Sequence, residues 1–186
     1  MAASRSRNKV APVRAGAGGD ALRILSSSHL ASGAFPEMSE LEFGLIVAGN
    51  AFARWVVRCM GAAGEPDLTV TDVLILHHVH HRERSKKLAD ICFTLNYEDT
   101  HVVSYALKKM VGIELLRSEK VGKEVFYSTT PAGAALVDRY RRVRDQCLLS
   151  SVTGDLADRD ELIRLAQTLR ALSGLYDQAA RGAASL

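Results

Sequence analysis

Residues 103–130 read Val103-Ser104-Tyr105-Ala106-Leu107-Lys108-Lys109-Met110-Val111-Gly112-Ile113-Glu114-Leu115-Leu116-Arg117-Ser118-Glu119-Lys120-Val121-Gly122-Lys123-Glu124-Val125-Phe126-Tyr127-Ser128-Thr129-Thr130, and the hydrophobic rhythm changes inside them. Val103, Ala106, Leu107 and Met110 recur at three- and four-residue steps, which places them on one face of a helix. The helix is expected to end near Gly112. From Leu115 two β-prone stretches flank a turn containing Gly122, predicting a β-hairpin. Pro131 then marks the start of another helix, at a position where a missing N–H costs little.

Upstream of that stretch the pattern is helical throughout. Leu41, Leu45, Ala48, Phe52, Trp55 and Cys59 form a stripe, and Ser39-Glu40-Leu41-Glu42 has the form of a capping box, so a first helix is expected from Ser39 to about Ala62. Gly61, Gly64 and Pro66 break it. Thr69 or Thr71 can cap a second helix carrying Val73, Ile75, Leu76 and Val79. Ser85 is expected to cap a short third helix through Leu88, Ile91 and Cys92, and the fourth begins near Asn96 or Asp99. Downstream, Leu136, Tyr140, Val143 and Cys147 form one stripe, and Leu162, Leu165, Ala166, Leu169, Leu172 and Tyr176 another. Helix, helix, short helix, helix, hairpin is the order of a winged helix-turn-helix, a DNA-binding module. The expected fold class is therefore mainly α with a small β-hairpin wing (α+β). Its parts are a basic N-terminal arm at 1–36, expected to be disordered, an N-terminal dimerisation helix at 37–68, the winged unit at 69–130 and C-terminal dimerisation helices at 131–186.

Composition sets limits on this reading. The 186 residues are 47% hydrophobic, 24% charged and 6% aromatic, the balance of a globular protein too short for two large domains. No apolar run of membrane-spanning length and no secretory signal are read, so a cytoplasmic protein without a membrane partner is expected. The net charge of +3 is unevenly spread: +4 over residues 1–36, −4 over 37–81, +5 over 82–144 and −2 over 145–186. Cys59, Cys92 and Cys147 lie far apart with no Cys-x-x-Cys pair, which argues against disulfides or a zinc knuckle and for buried thiols on apolar stripes.

The chain resembles the MarR family of bacterial transcription regulators over about residues 40–176. The resemblance rests on Leu68-Thr69 opening the second helix, Leu88-Ala89-Asp90-Ile91 in the third, and Val103 to Met110 followed by Gly112 and Leu115-Leu116. Tyr127-Ser128-Thr129-Thr130-Pro131-Ala132-Gly133 is similar to the family's passage into its dimerisation helix. It implies a homodimer on double-stranded DNA, and a small-molecule effector as a further candidate partner. The stretch Phe93 to Asp99 is longer than the family's usual turn, and the wing lacks the family's arginine pattern.

Stepping about 100° per residue from Val103 places His101, Tyr105 and Lys108 on the outward face of the fourth helix, flanked by Glu98, Ser104 and Lys109. In a major groove Lys108 can donate to guanine or a phosphate, His101 and Ser104 can hydrogen-bond base edges, and Tyr105 can pack on sugar or a thymine methyl. Lys86 and Lys87, expected at the N-terminal end of the third helix, and Lys109, Lys120 and Lys123 complete the candidate DNA contacts. Glu98 and Asp99 oppose them unless Asp99 caps the helix.

Other residues suggest lesser roles. In His77-His78-Val79-His80-His81 the four-residue spacing of His77 and His81 could offer two imidazoles, and His77, His78 and His81 are weak metal candidates without a completing ligand set. Phe52, Trp55 and Tyr140 are weak candidates for a ligand pocket. No phosphate loop, nucleophile elbow or carboxylate pair marks an enzyme, and no cofactor is called for. Two functions follow. One is a dimeric regulator reading a palindromic site, with the recognition helix in the major groove and the wing on the backbone. The other is a winged-helix dimer serving as a protein–protein assembly module, favoured by Glu98, Asp99 and the −1 charge of residues 37–186.

Overall fold

The computed structural model describes residues 35–153 and 158–186, so the expectation for the N-terminal arm lies almost wholly outside the described residues. The chain divides after Ala51 into two compact units. The described part of the first is the opening of helix α1 (Pro36–Ala62), where Ile46 and Val47 are exposed. α1 starts three residues before the expected Ser39 cap, because Pro36 brings a helical φ and needs no N–H partner at a helix start. It also corrects the membrane expectation in part: as a 27-residue helix, α1 is long and apolar enough by composition to cross a bilayer.

The second unit begins with the remainder of α1 and continues with α2 (Val70–His80), β1 (Lys86–Lys87), α3 (Leu88–Leu95), α4 (Thr100–Gly112), β2 (Leu116–Val121), β3 (Glu124–Thr129), α5 (Pro131–Cys147) and α6 (Arg159–Ala183). A capping box opens α2: the Thr69 N–H donates to Asp72 Oδ2 at 2.9 Å, and the Asp72 N–H donates to Thr69 Oγ1 at 3.2 Å. Asn96 ends α3 in the left-handed region (φ 56°), a conformation that asparagine tolerates, and Asp99 caps α4 through His101 N–H at 2.8 Å. Thr130 caps α5 by accepting from Gly133 N–H at 3.0 Å, with Pro131 in the first helical position.

The hairpin has the register Leu116↔Thr129 to Val121↔Glu124, with Gly122 at positive φ (62°) as the first of two turn residues. A third strand was not expected. β1 pairs antiparallel with β3, Lys86↔Tyr127 and Lys87↔Phe126, giving the sheet order β1-β3-β2. The Ser85 cap is thereby corrected: Lys87 occupies the N-cap of α3 without a side-chain cap bond, because the preceding residues follow the edge of β3.

One core unites the winged elements. Val73, Ile75, Leu76 and Val79 of α2 meet Ile91 of α3, Val103, Leu107 and Met110 of α4, Leu116 of β2, and Leu136 and Val137 of α5. Val56, Cys59 and Met60 in the last turns of α1 join the same cluster. Each fully buried aliphatic side chain contributes about 1.5–3 kcal/mol relative to exposure, so the inward face of α4 is fixed energetically as well as by pattern. α6 differs. Its buried residues are confined to Leu172, while Leu162, Ile163, Leu165, Leu169 and Leu175 are exposed.

Candidate nucleic-acid interface

Burial of Val103, Ala106, Leu107 and Met110 turns the opposite side of α4 to solvent. His101, Tyr105 and Lys108 are exposed there, Tyr105 at 74%, and Ser104 is half-buried. Val102, which spacing alone did not single out, is also exposed on this helix. The outward phenol presents a flat face on which a sugar or a thymine methyl could pack. Asp99 is occupied as the α4 cap, which turns its negative charge to the positive end of that helix, while Glu98 remains exposed.

The lysines separate into two groups. Lys108, Lys120 and Lys123 are exposed, the last two at the tip of the hairpin. Lys109 is instead half-buried, with its Nζ 2.8 Å from Asp72 Oδ2 and 2.8 Å from the Asp67 carbonyl oxygen. Lys86 and Lys87 form β1 and lead directly into α3, with Lys87 as its N-cap, at the helix end expected from the sequence. Lys87 Nζ is 2.6 Å from Glu124 Oε2 and 5.3 Å from the Phe126 ring centroid, and the hydrogen bond to Glu124 raises the ammonium pKa. Arg117 was missed by the sequence reading. It is exposed on β2 and donates from Nε to Ser128 Oγ at 2.9 Å, a cross-strand pair that only the register reveals.

The histidine run does not converge. His77 Nδ1 lies 2.8 Å from the Val73 carbonyl oxygen, and its ring meets Tyr140 edge-on at 4.5 Å between centroids. Its Nε2 is buried without a hydrogen-bond partner among the described residues. Desolvation lowers the His77 pKa, and burial lowers that of His78 as well. His80 Nδ1 lies 3.3 Å from Thr129 Oγ1, while His81 is exposed at the α2 C-cap. Among the described residues no three His, Cys, Asp or Glu side chains gather as a metal set.

Phe52, Trp55 and Tyr140 line a single cavity of about 420 Å³, together with His77, Arg141 and Arg144. The Tyr140 phenol is pushed up to about 12, chiefly by burial. Cys59 and Cys92 are buried, and burial raises both thiol pKa values. Cys59 Sγ donates to the Tyr140 carbonyl at 3.6 Å. Cys147 corrects the expectation of three buried thiols: it is exposed, because the apolar stripe of α5 extends past the last residue that the core covers.

The winged helix DNA-binding domain family matches residues 68–133, the segment from the end of the α1–α2 connection into the first turn of α5. The chain has a winged-helix fold, which solved MarR-type structures share. A mutant of MarR from E. coli complexed with operator DNA is 17% identical, with a TM-score of 0.60 over 76% of this chain and 99% of that one. Reduced AbfR bound to DNA, a protein of Staphylococcus epidermidis, is 16% identical, with a TM-score of 0.62 over 75% of this chain and 94% of that one. Bordetella bronchiseptica BpsR, whose DNA binding is regulated by 6-hydroxynicotinic acid, is 20% identical, with a TM-score of 0.51 over 69% and 91%. No curated protein matches the chain. In this winged-helix fold the helix that carries His101, Tyr105 and Lys108 is the second helix of the helix-turn-helix, and β2 and β3 form the wing.

Proposed function

We propose that the protein is a cytoplasmic, dimeric transcription regulator that reads a palindromic DNA site with α4 in the major groove and the β2–β3 wing on the backbone. The observation that carries this reading is the division of α4 into a buried aliphatic face and an outward face of His101, Tyr105 and Lys108, inside a winged helix DNA-binding domain. Lys120 and Lys123 at the hairpin tip supply phosphate contacts. The role is binding and not catalysis. A second protomer covers the exposed leucines of α6 and the exposed Ile46 and Val47 of α1, apolar side chains that would otherwise face water. Two-fold symmetry then sets half-sites about one helical turn apart.

The test is selection of bound duplexes from a random pool, followed by affinity for the winner and for a scrambled duplex across a salt series. A palindrome should emerge, and Tyr105→Ala should weaken its binding by about 1–3 kcal/mol. Equal, weak binding to every duplex refutes DNA reading and favours the assembly module. The cavity walled by Phe52, Trp55 and Tyr140 is proposed as the effector site. Trp55 is the chain's single tryptophan, so quenching of its fluorescence by small aromatic acids, with an accompanying change in DNA affinity, tests that part. Unchanged fluorescence and unchanged affinity refute it.

A further inference from the structure

Two adjacent lysines of α4 point to different surroundings. Lys108 is exposed, whereas the Lys109 ammonium donates to the Asp72 carboxylate and to the Asp67 carbonyl, each at 2.8 Å. Asp72 is only 3% exposed, and its carboxylate also accepts the Thr69 N–H that opens α2. The ammonium therefore ties α4 to the first turn of α2 and to the connection before it through two charge-assisted hydrogen bonds. A phosphate contact would require Nζ to leave this site, and a nearly buried carboxylate would then lose its cation.

We propose that Lys109 is a positioning residue for DNA reading, which sets the rotation of α4 from inside the domain and does not touch DNA; the proposal rests on the DNA-reading function above. Lys109 lies one turn after Tyr105, so pinning its side chain against α2 fixes the direction in which Tyr105 and the neighbouring Lys108 project. Hydrophobic burial on the opposite side of the helix holds α4 against the core, but the driving force is itself non-directional. The two 2.8 Å bonds supply the directional constraint.

The experiment uses the full chain, with the selected duplex and its scrambled counterpart, in a salt series. A phosphate contact contributes about 0.9 to the slope of log affinity against log salt and acts equally on all sequences. Lys109→Met should leave the slope unchanged while lowering affinity for the selected duplex on the order of tenfold, the worth of one displaced base contact, so that discrimination falls. Lys109→Arg should restore most of the discrimination. Asp72→Asn should reproduce the loss, and the double variant Asp72→Asn with Lys109→Met should be no worse than the more affected single variant. Lys120→Ala, by contrast, should lower the slope by about 0.9 on both duplexes.

A fall in slope of about 0.9 in Lys109→Met, with equal loss on both duplexes, overturns the proposal, as do additive losses in the double variant. Should Lys109→Met fail to fold, Lys109→Gln keeps an N–H donor for Asp72 and carries the same comparison: an unchanged slope supports positioning, and a lowered one overturns it. Wild-type protein that binds both duplexes alike defeats the DNA-reading function itself, and this proposal with it. Discrimination by the wild type with a slope change in the variant defeats only the role given to Lys109.

Discussion

Gly133→Ala should destabilise the protein although it places a better helix former inside a helix. Gly133 is the third residue of α5, where alanine on propensity alone would add about 0.5–1 kcal/mol of stability. A Cβ at this position, however, would overlap the Leu115 carbonyl oxygen and lie 3.0 Å from its carbon. Neither group can turn aside as a long side chain would. The Leu115 carbonyl accepts the Thr130 N–H at 3.1 Å and lies 3.2 Å from Thr130 Oγ1, so moving it loosens the junction between β2 and α5. Overpacking costs about 1–3 kcal/mol, and backbone on backbone belongs at the upper end of that range. Less the propensity gain, a net loss of about 2 kcal/mol remains, which for a chain of this length lowers Tm by about 4–8 °C. Thermal unfolding by circular dichroism at fixed protomer concentration measures it. Gly112→Ala is the control, since a Cβ there meets nothing within 4 Å. A Gly133→Ala protein with a Tm equal to or above wild type would refute the reasoning.

Three other outcomes are expected. His77 holds a lowered pKa through desolvation, so the folded state binds fewer protons than the unfolded one: stability is full above about pH 6.5 and falls as pH drops below it, and urea midpoints should show a smaller acid-side fall in His77→Gln. An identical fall in that variant would assign the effect elsewhere. Thr69→Ala removes the acceptor for Asp72 N–H and should lower stability by about 1 kcal/mol, read from the same midpoints; no change would mean that water replaces the cap fully. A thiol reagent should modify Cys147 in the native protein and all three cysteines in denaturant, and rapid native labelling of Cys59 or Cys92 would contradict their burial.

The sequence disclosed α4 and the hairpin because both are local: a three-four rhythm and a Gly122 turn each lie within a few residues. The same is true of Thr69, whose cap involves a residue three positions away. What stayed hidden depends on distant partners. A two-lysine strand has no period to detect, and β1 exists because the edge of β3, some 40 residues later, accepts it. Lys109 appeared as an outer flank of α4 because angular position cannot reveal Asp72, which is 37 residues earlier in the chain. Cys147 shows the converse. Spacing identifies the apolar side of α5, but whether the last turn is covered depends on how far the core extends. Phe52, Trp55 and Tyr140 were legible as aromatics on helical stripes, and their meeting in one cavity with His77 required the packing of α1, α2 and α5.

The exposed leucine face of α6 has a kinetic consequence. A 25-residue helix that buries little besides Leu172 has scant tertiary support, and in proteins most helical stability comes from packing of an amphipathic face. Its amide protons should then exchange with solvent through frequent local openings in a lone chain and slowly once another protomer lies over Leu162, Leu165 and Leu169. Deuterium uptake along residues 159–183, followed as the protein is diluted, would thus act as an internal gauge of pairing, while the amides of α2 and α4 keep an unchanged clock.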